Sequence, residues 1–354
     1  MIWILLLWMS FVKCNRFVNH IKENLMFFVK SFKKSTALLT VLGAFFISTY
    51  TQAATELKVA FNQSKQHPQY QALEELSHKF SDATQGKYKL TIYPNELLGN
   101  QRASLELVQN GAIQMAVVAN PLVENYDRTF LVLALPYLYK STEHQEHLYT
   151  SDILDPLFAS TSTFGFDVLA AYTAGARSLY VKGKPITAQA DLKGKKIRVL
   201  QSDAMMKTLS CMGGVGVPMN QGEVYTAIQQ GVLDGAENNE ITYTDLKHYE
   251  VAPYFTRTQH LRVADLLVIS NTFLSGMSPE EQALLRKLAK ESVKTEFTLW
   301  NQQIQSSEQL AKDKGATFIE IDTTPFRESC KNVQQELLKT PEQKALFEQI
   351  MALE

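Results

Sequence analysis

The sequence lacks the features that mark several large classes of protein. Its 354 residues include only three cysteines, and its 16 glycines and 11 prolines are too few for a collagen-like or low-complexity chain. No stripe of basic residues argues for nucleic-acid binding. Gly213–Gly216 lacks the Gly-Lys-Ser/Thr ending of a phosphate loop, and neither a nucleophile elbow nor a catalytic triad is evident. These absences leave a folded protein of ordinary composition.

Long apolar runs are also missing. Ile2–Val12 is shorter than the roughly 20 residues that a membrane span needs. Ala37–Ile47 follows lysines and precedes small residues, the order of a secretory signal peptide. We therefore predict a signal-peptide region over residues 1–54, for which Met26 is a better start than Met1. Residues 1–53 carry six basic groups and one acid, so the net charge changes from −1 to about −6 after cleavage.

The mature part retains two cysteines, Cys211 and Cys330. An oxidising compartment would allow them to form a disulfide. The sequence does not establish whether they lie close enough to bond, so a bridge and two free thiols both remain open.

The central stretch, Asp191–Tyr243, carries the strongest pattern. Lys195–Leu200 reads as a short strand, in which Ile197 and Val199 share one face and Arg198 lies on the other. A guanidinium group presents a planar fork of donors that matches a carboxylate. Arg198 is therefore a candidate anchor for an acidic ligand.

A helix and a polar strand follow. Asn220 is predicted to cap the helix, with Glu223 reaching back as in a capping box, and Gly231 is predicted to end it. Asp234-Gly235 then turns into a segment that is polar where a buried strand should be apolar, and this segment ends in Asn238 and Asn239. An arginine and two amides at opposite ends of one β-α-β unit indicate a binding site.

The first half of the mature chain alternates strands and helices. This β-α-β-α-β order predicts an α/β fold with a mainly parallel sheet. Ligands of such sheets lie beyond the carboxyl ends of the strands. Asn62, His67 and Asn120 occupy those ends, so they are candidates by position.

The second half ends in a long helix. Ser278 with Pro279 and Glu281 is a strong helix start, and the helical pattern continues to Gly315. About 36 residues at about 1.5 Å each make a rod on the order of 54 Å. Such a rod is longer than one compact lobe.

The chain resembles the solute-receptor subunit of tripartite ATP-independent periplasmic (TRAP) transporters. The resemblance rests on DLKGKKIRV and PMNQGEVYTAIQQGVLDGAENN, and on HPQYQAL, YPNELLG, LVQNGAIQMAV, LPYLY, AGARSLY, HYEVAPYF and MSPEEQALLRKLAKES in the family's order. It covers nearly the whole chain after residue 55.

The resemblance implies a two-lobed α/β periplasmic binding protein in which a long helix spans both lobes. Lobe 1 is expected over 55–174, completed by about 265–303, and lobe 2 over 175–264, completed by about 304–354. It also implies a monomer in the periplasm that is not an enzyme, needs no cofactor or metal ion, and delivers its ligand to membrane permease subunits.

The resemblance further implies roles for individual residues. Arg198 matches the arginine that contacts the ligand carboxylate, and Asn238 matches a ligand-facing asparagine. Arg177 matches a second arginine, which contacts the ligand or holds the closed lobes. Gln221 stands where relatives often have an aromatic residue, which suggests a more polar pocket. His67 resembles a loop histidine of relatives that bind sugar acids, although a surface histidine is equally consistent with the pattern.

The ligand class is an expectation of the same kind. The segments GARSLY, GEVY and DGAENN look most like relatives that bind hexuronates, with C4-dicarboxylates as the alternative. A periplasmic enzyme on the same scaffold, with His67 as its acid or base, and a receptor that signals to a sensor kinase are two further alternatives.

Overall fold

The computed structural model describes residues Ala54–Leu353. Residues 1–53 of the predicted signal-peptide region, including Met26, lie outside them. The strands of the described part are β1 (Thr55–Ala60), β2 (Tyr88–Tyr93), β3 (Met115–Ala119), β4 (Phe166–Thr173), β5 (Arg177–Val181), β6 (Lys196–Val199), β7 (Val215–Pro218), β8 (Gly235–Asn238), β9 (Tyr254–Leu261), β10 (Ala264–Ser270) and β11 (Thr317–Ile319).

The α-helices alternate with these strands over most of the chain. They are α1 (Pro68–Ala83), α2 (Gln101–Gln109), α3 (Asn120–Val123), α4 (Thr142–Thr150), α5 (Asp155–Ser160), α6 (Asp203–Cys211), α7 (Val224–Gln229), α8 (Glu240–Asp245), α9 (Asn271–Leu274), α10 (Pro279–Asp313), α11 (Thr324–Leu337) and α12 (Pro341–Ala352). No helix in Ala54–Leu353 is both long enough and apolar enough to cross a membrane.

The strands form two mixed sheets, which define the two lobes. The sheet of the first lobe has the order β2-β1-β3-β10-β4, with β1 parallel to β2 and β3 and with β10 antiparallel to both its neighbours. The sheet of the second lobe has the order β11-β9-β5-β8-β6-β7, in which β6 is parallel to β7 and β8. The two-lobed α/β prediction is confirmed, whereas the residue boundaries of the lobes stay a prediction.

Helix α1 illustrates how capping residues and apolar spacing in the sequence define an element of the fold. Proline is its first residue, and His67 caps it by accepting a hydrogen bond from the backbone N–H of Gln69. Tyr70, Leu73 and Phe80 recur at helical spacing and are buried in the core of the first lobe. Burial of each such side chain contributes roughly 1.5–3 kcal/mol.

Helix α10 connects the lobes. It begins with a capping box: Ser278 accepts a hydrogen bond from the backbone N–H of Glu281, whose carboxylate accepts one from the Ser278 N–H. Its 35 residues span about 52 Å. The helix packs against α1 and β4 of the first lobe and against α8 of the second. The predicted long helix is confirmed, both in its start and in its contact with both lobes.

The chain passes between the sheets directly beside α10. Gly175, between β4 and β5, has a positive φ of 64°. A Cβ atom at this position would lie 2.6 Å from the Trp300 ring of α10. Only glycine meets both conditions, because other residues disfavour this conformation and would collide with the indole. The crossover is thus packed against the helix that joins the lobes.

Two local predictions have opposite outcomes. The Asn220–Glu223 capping box is wrong: Gln221–Glu223 forms a 3₁₀ turn before α7, and no side chain caps it. The Asn220 side-chain oxygen instead accepts a hydrogen bond from Gln201, because tertiary contact offers it a partner outside the turn. Gly231 does end the helical segment, with a φ of 76°.

The two cysteines of the mature part form a disulfide, which the sequence had left open. Cys211 at the end of α6 is bonded to Cys330 in α11, with 5.1 Å between their Cα atoms. The bridge therefore joins two helices that flank the sheet of the second lobe.

Candidate functional site

Arg198 carries an unusual buried charge. Side chains alternate between the two faces of β6. Ile197 and Val199 therefore pack in an apolar cluster of the second lobe, and Arg198 lies on the opposite face, as predicted. Its Nε donates to the Met219 carbonyl at 2.8 Å. The four N–H groups of its terminal nitrogens have no hydrogen-bond partner within Ala54–Leu353. A buried guanidinium with most of its donors unpaired can bind an anion.

Burial has an electrostatic consequence for this group. Loss of solvation lowers the pKa of Arg198 to about 10, the neighbouring Arg177 acts in the same direction, and the Glu237 carboxylate opposes both. The guanidinium remains charged at neutral pH. An anionic ligand would supply the charge that the surrounding protein does not.

Arg177 is buried in a different environment. Its Nε and Nη2 donate to the two carboxylate oxygens of Glu237 at 2.5 and 2.7 Å, and Nη1 donates to the side-chain oxygen of Asn238 at 2.9 Å. Burial disfavours the charge on Arg177, but the attraction of Glu237 prevails and raises its pKa. The Arg177 fork is therefore occupied by the protein itself.

The two asparagines after Glu237 divide their roles. The side-chain oxygen of Asn238 accepts hydrogen bonds from Arg177 and from the Asn239 backbone N–H, while its amide nitrogen has no partner in the described part of the chain. Asn239 caps α8 by accepting from the Thr242 N–H, and its amide nitrogen donates to the Ala174 carbonyl. Asn238 thus presents a free donor, whereas the polar groups of Asn239 hold the backbone.

His67 brings a neutral donor from the first lobe. Its Nδ1 accepts from the Gln69 N–H at 3.3 Å, so the ring proton lies on Nε2. Burial lowers the pKa of His67 to about 3, and the ring packs edge-on against Trp300. A histidine with this pKa is a poor general acid or base at neutral pH.

Two further predicted residues meet between the lobes. Asn62 of the first lobe donates to Gln221 of the second at 3.4 Å, and Gln221 donates to Gln63 at 3.3 Å. The side-chain oxygen of Asn62 is buried and has no partner in the described residues.

Asn120 does not join this group. Its amide nitrogen donates to the Phe130 carbonyl at 3.1 Å, and its oxygen accepts from the Ala264 N–H at 2.9 Å. Both ends of the side chain are thus used to fix the backbone beside the sheet. Position at a strand end predicts Asn120 as a candidate, but these bonds make it part of the scaffold.

Six of the eight predicted residues, all except Asn62 and Asn120, line a space between the lobes that continues towards the solvent. The inner space measures about 320 Å³, including space that is open to solvent. The outer space measures about 300 Å³ and shares Arg198, Gln101, Leu200 and Gln221 with the inner one. The inner space is lined by Gln63, His67, Gln101, Ala119, Ala174, Arg177, Arg198, Leu200, Gln221, Asn238, Asn239, Thr242 and Asp265. The outer space is lined by Glu96, Asn100, Gln101, Arg102, Leu122, Arg198, Leu200, Gln201, Met219, Asn220 and Gln221.

Sequence reasoning missed several of these residues. Asp265 was hidden in the apolar run of β10, where a single acid was the available signal. It accepts a hydrogen bond from Gln69 at 2.8 Å, and burial raises its pKa to about 6. Glu237 lies in the segment recognised as too polar for a buried strand, but its pairing with Arg177 required the register of β5 against β8.

Metal binding is not supported within the described part of the chain. Residues Ala54–Leu353 contain no group of three or more His, Cys, Asp or Glu side chains arranged to hold a metal ion. The site as described offers one free guanidinium, neutral donors from both lobes and amide groups, an arrangement that suits an organic anion with hydroxyl groups.

A family model and a relative among known proteins both match most of this chain. The family model described as bacterial extracellular solute-binding protein, family 7, matches residues 59–344. The uncharacterized protein YiiZ of Salmonella typhimurium is 35% identical over 86% of this chain and 93% of its own length.

Two solved structures of TRAP periplasmic solute-binding proteins are similar over the same region. That of Xanthobacter autotrophicus, with bound β-D-galacturonate, has a TM-score of 0.81 at 32% identity and covers 84% of this chain and 100% of its own. That of Anaerococcus prevotii, with bound D-glucuronate, has a TM-score of 0.81 at 33% identity and covers 84% of this chain and 97% of its own.

Proposed function

Because this chain belongs to the bacterial extracellular solute-binding proteins of family 7, the periplasmic receptors of TRAP transporters, we propose that it captures a hexuronate such as galacturonate or glucuronate. The ligand is then delivered to an ion-coupled membrane permease. As a member of this family the protein is a periplasmic binding protein and not an enzyme.

The observation that carries the proposal is the unpaired fork of Arg198. Burying a charge is costly unless a partner compensates it, so a free guanidinium in the cleft favours a carboxylate ligand. A carboxylate can accept two parallel hydrogen bonds from the terminal nitrogens, and the fixed Nε bond to Met219 holds the fork in place.

The remainder of the site favours a single carboxylate. The second buried arginine, Arg177, already has Glu237 as its counter-ion and so offers little to another anion. Asn238 presents an amide donor, and the Nε2–H of His67 presents another from the opposite lobe. Neutral donors and acceptors suit the hydroxyl groups of a sugar acid, whereas a C4-dicarboxylate needs a cation at each end.

Known relatives support the same ligand class. The proteins of Xanthobacter autotrophicus and Anaerococcus prevotii hold galacturonate and glucuronate in structures that superpose on this chain over 84% of its length. Since a site built to bond hydroxyl groups rejects analogues that lack them, the proposal predicts discrimination as well as affinity.

Calorimetric titration of the purified mature protein tests the proposal. We expect galacturonate or glucuronate to bind at least about tenfold more tightly than succinate or malate, a difference of roughly 1.4 kcal/mol. All four acids are titrated at the same pH and salt concentration. Tighter binding of succinate or malate would overturn the hexuronate assignment and make Arg177 the partner of a second carboxylate.

A further inference from the structure

Glu96 is a negatively charged residue in the outer part of the cleft, and it lies outside the strands and helices. It lies in the loop after β2, is about half-buried, and lines the outer space together with Arg198. No hydrogen bond to its carboxylate is formed within Ala54–Leu353, so Glu96 does not stabilise the fold through a hydrogen bond of its side chain.

The backbone of the loop has an uncommon conformation at Glu96. Asn95 and Glu96 both have positive φ angles, 56° and 57°. Two successive non-glycine residues in this region cost energy that the surroundings must offset. Backbone hydrogen bonds supply part of it: the Asn95 N–H donates to the Gln63 carbonyl at 2.9 Å, and the Glu96 N–H donates to the Phe61 carbonyl at 3.1 Å.

The opposite lobe leaves room for the carboxylate. Gly222 of the second lobe faces Glu96, and a Cβ atom at Gly222 would lie 3.0 Å from Glu96 Oε2. Any larger residue would therefore crowd the carboxylate. The absence of a side chain at Gly222 allows Glu96 to approach the second lobe closely.

The charges around Glu96 determine which ligand groups its carboxylate attracts or repels. Burial and the nearby Glu223 raise its pKa, while Arg198 favours its ionised form. Arg102 also lines the outer space, but its side chain is 64% exposed and lies 3.6 Å from Glu106, so solvent and its own partner screen it. The outer space thus combines a buried cation on one side with a half-buried anion on the other.

We propose that Glu96 determines the charge of the accepted ligand by repelling a second carboxylate while accepting hydrogen bonds from hydroxyl groups. This inference rests on the proposed function, since it concerns the same cleft. One carboxylate binds Arg198, and a second acid group that extended into the outer space would meet Glu96 instead of a free cation. A sugar acid with hydroxyl groups at that end gains an acceptor.

The test compares galacturonate with galactarate, the acid that has the same carbon chain but a carboxylate at both ends. Both are titrated by calorimetry into the wild-type protein, Glu96→Gln, and Glu348→Gln as a control that removes one exposed charge from α12. We expect the Kd ratio of galactarate to galacturonate to fall about tenfold or more in Glu96→Gln and to stay at its wild-type value in Glu348→Gln. Raising the salt concentration should lower the ratio more in the wild type than in Glu96→Gln, because screening weakens charge repulsion.

The outcomes separate this inference from the proposed function. An unchanged ratio in Glu96→Gln, with galacturonate still bound, overturns the role of Glu96 and leaves the hexuronate assignment standing. Equal loss of both ligands also overturns it, since Glu96 would then serve lobe closure and not selection. Failure of the wild type to bind any hexuronate overturns the proposed function and this inference with it.

Discussion

Arg198 and Arg177 are both buried, but their surroundings give them different roles. The Arg177 fork pairs with Glu237, whereas Arg198 makes one hydrogen bond to a backbone carbonyl and keeps its terminal nitrogens free. Loss of Arg177 would leave the buried Glu237 charge without compensation, which costs stability. Loss of Arg198 removes a charge that has no direct partner, so it should affect binding far more than folding.

Replacement of Arg198 by lysine tests this distinction. Arg198→Lys keeps the charge but loses the two parallel hydrogen bonds to a carboxylate. We expect a loss of about 2–4 kcal/mol in the binding free energy of galacturonate, as for a disrupted buried charge pair. Calorimetry measures the affinity, and thermal unfolding in the absence of ligand should show a melting temperature close to that of the wild type.

Arg102→Lys is the matched control, because Arg102 lies at the exposed rim of the same cleft. We expect its affinity to stay near the wild-type value. An Arg198→Lys protein that binds galacturonate as tightly as the wild type would contradict the assignment of Arg198 as the carboxylate partner.

At the scale of elements, the start of α6 depends on a residue from the other lobe. Glu124, just after α3 in the first lobe, accepts a hydrogen bond from the Asp203 N–H at 3.0 Å. Asp203 is the first residue of α6, where backbone N–H groups lack partners within the helix and favour a negative charge. The second oxygen of Glu124 is buried without a partner in the described residues.

This arrangement predicts a pH-dependent contribution to stability. Burial raises the pKa of Glu124 to about 6, although bonds from Ser202 and Asp203 oppose the shift. A glutamate in the unfolded chain has a pKa of about 4.3. Between these values the folded state binds the proton more tightly, so the contribution of Glu124 to stability falls as pH rises from about 4 to about 6.

Glu124→Gln should remove this dependence, because glutamine can accept the same bond without a charge. As the pH rises from 4.5 to 7.5, the unfolding free energy of the variant minus that of the wild type should increase by about 1–2 kcal/mol, measured by urea denaturation. For the control Glu348→Gln, on an exposed face of α12, the curve of unfolding free energy against pH should run parallel to that of the wild type. Parallel curves for Glu124→Gln as well would show that Glu124 titrates normally.

At the scale of the whole molecule, individual polar contacts join the lobes across the cleft, among them the Glu124–Asp203 bond and a 2.9 Å hydrogen bond from Ser64 to Asp245. Asn62 and Gln221 are 3.4 Å apart, Gln63 and Thr242 are 3.3 Å apart, and Arg128 forms a surface ion pair with Asp203 at 3.2 Å. Neutral hydrogen bonds contribute about 0.5–1.5 kcal/mol each and exposed ion pairs about 0–1 kcal/mol. The added contacts of a ligand can therefore decide between open and closed forms.

Galacturonate should consequently reduce the radius of gyration of the protein in solution. His67 and Arg198 lie on opposite lobes of the inner space, so a ligand that contacts both favours the closed arrangement. Small-angle X-ray scattering with and without saturating ligand measures the change. Arg198→Lys at the same ligand concentration should keep the larger radius, and superimposable wild-type curves at proven saturation would contradict a closing mechanism.

The sequence by itself determined the features that depend on local pattern. Alternation in β6 puts Arg198 opposite Ile197 and Val199, and the Ser278 capping box starts the long helix at the predicted residue. The order of strands and helices was sufficient for the α/β class, whereas the two-lobed arrangement was an expectation from the family resemblance. These features follow from side-chain periodicity and helix capping, which act over a few residues.

Only the tertiary structure decided how the site residues are used. Arg177 and Arg198 look alike in sequence, but the register of β5 against β8 brings Glu237 to one and leaves the other free. Asn120 and Asn239 are candidates from the sequence, and only the structure shows that their amides bond distant backbone groups. Such pairings join residues up to 144 positions apart, and the energy of a polar group depends on which partner the fold brings to it.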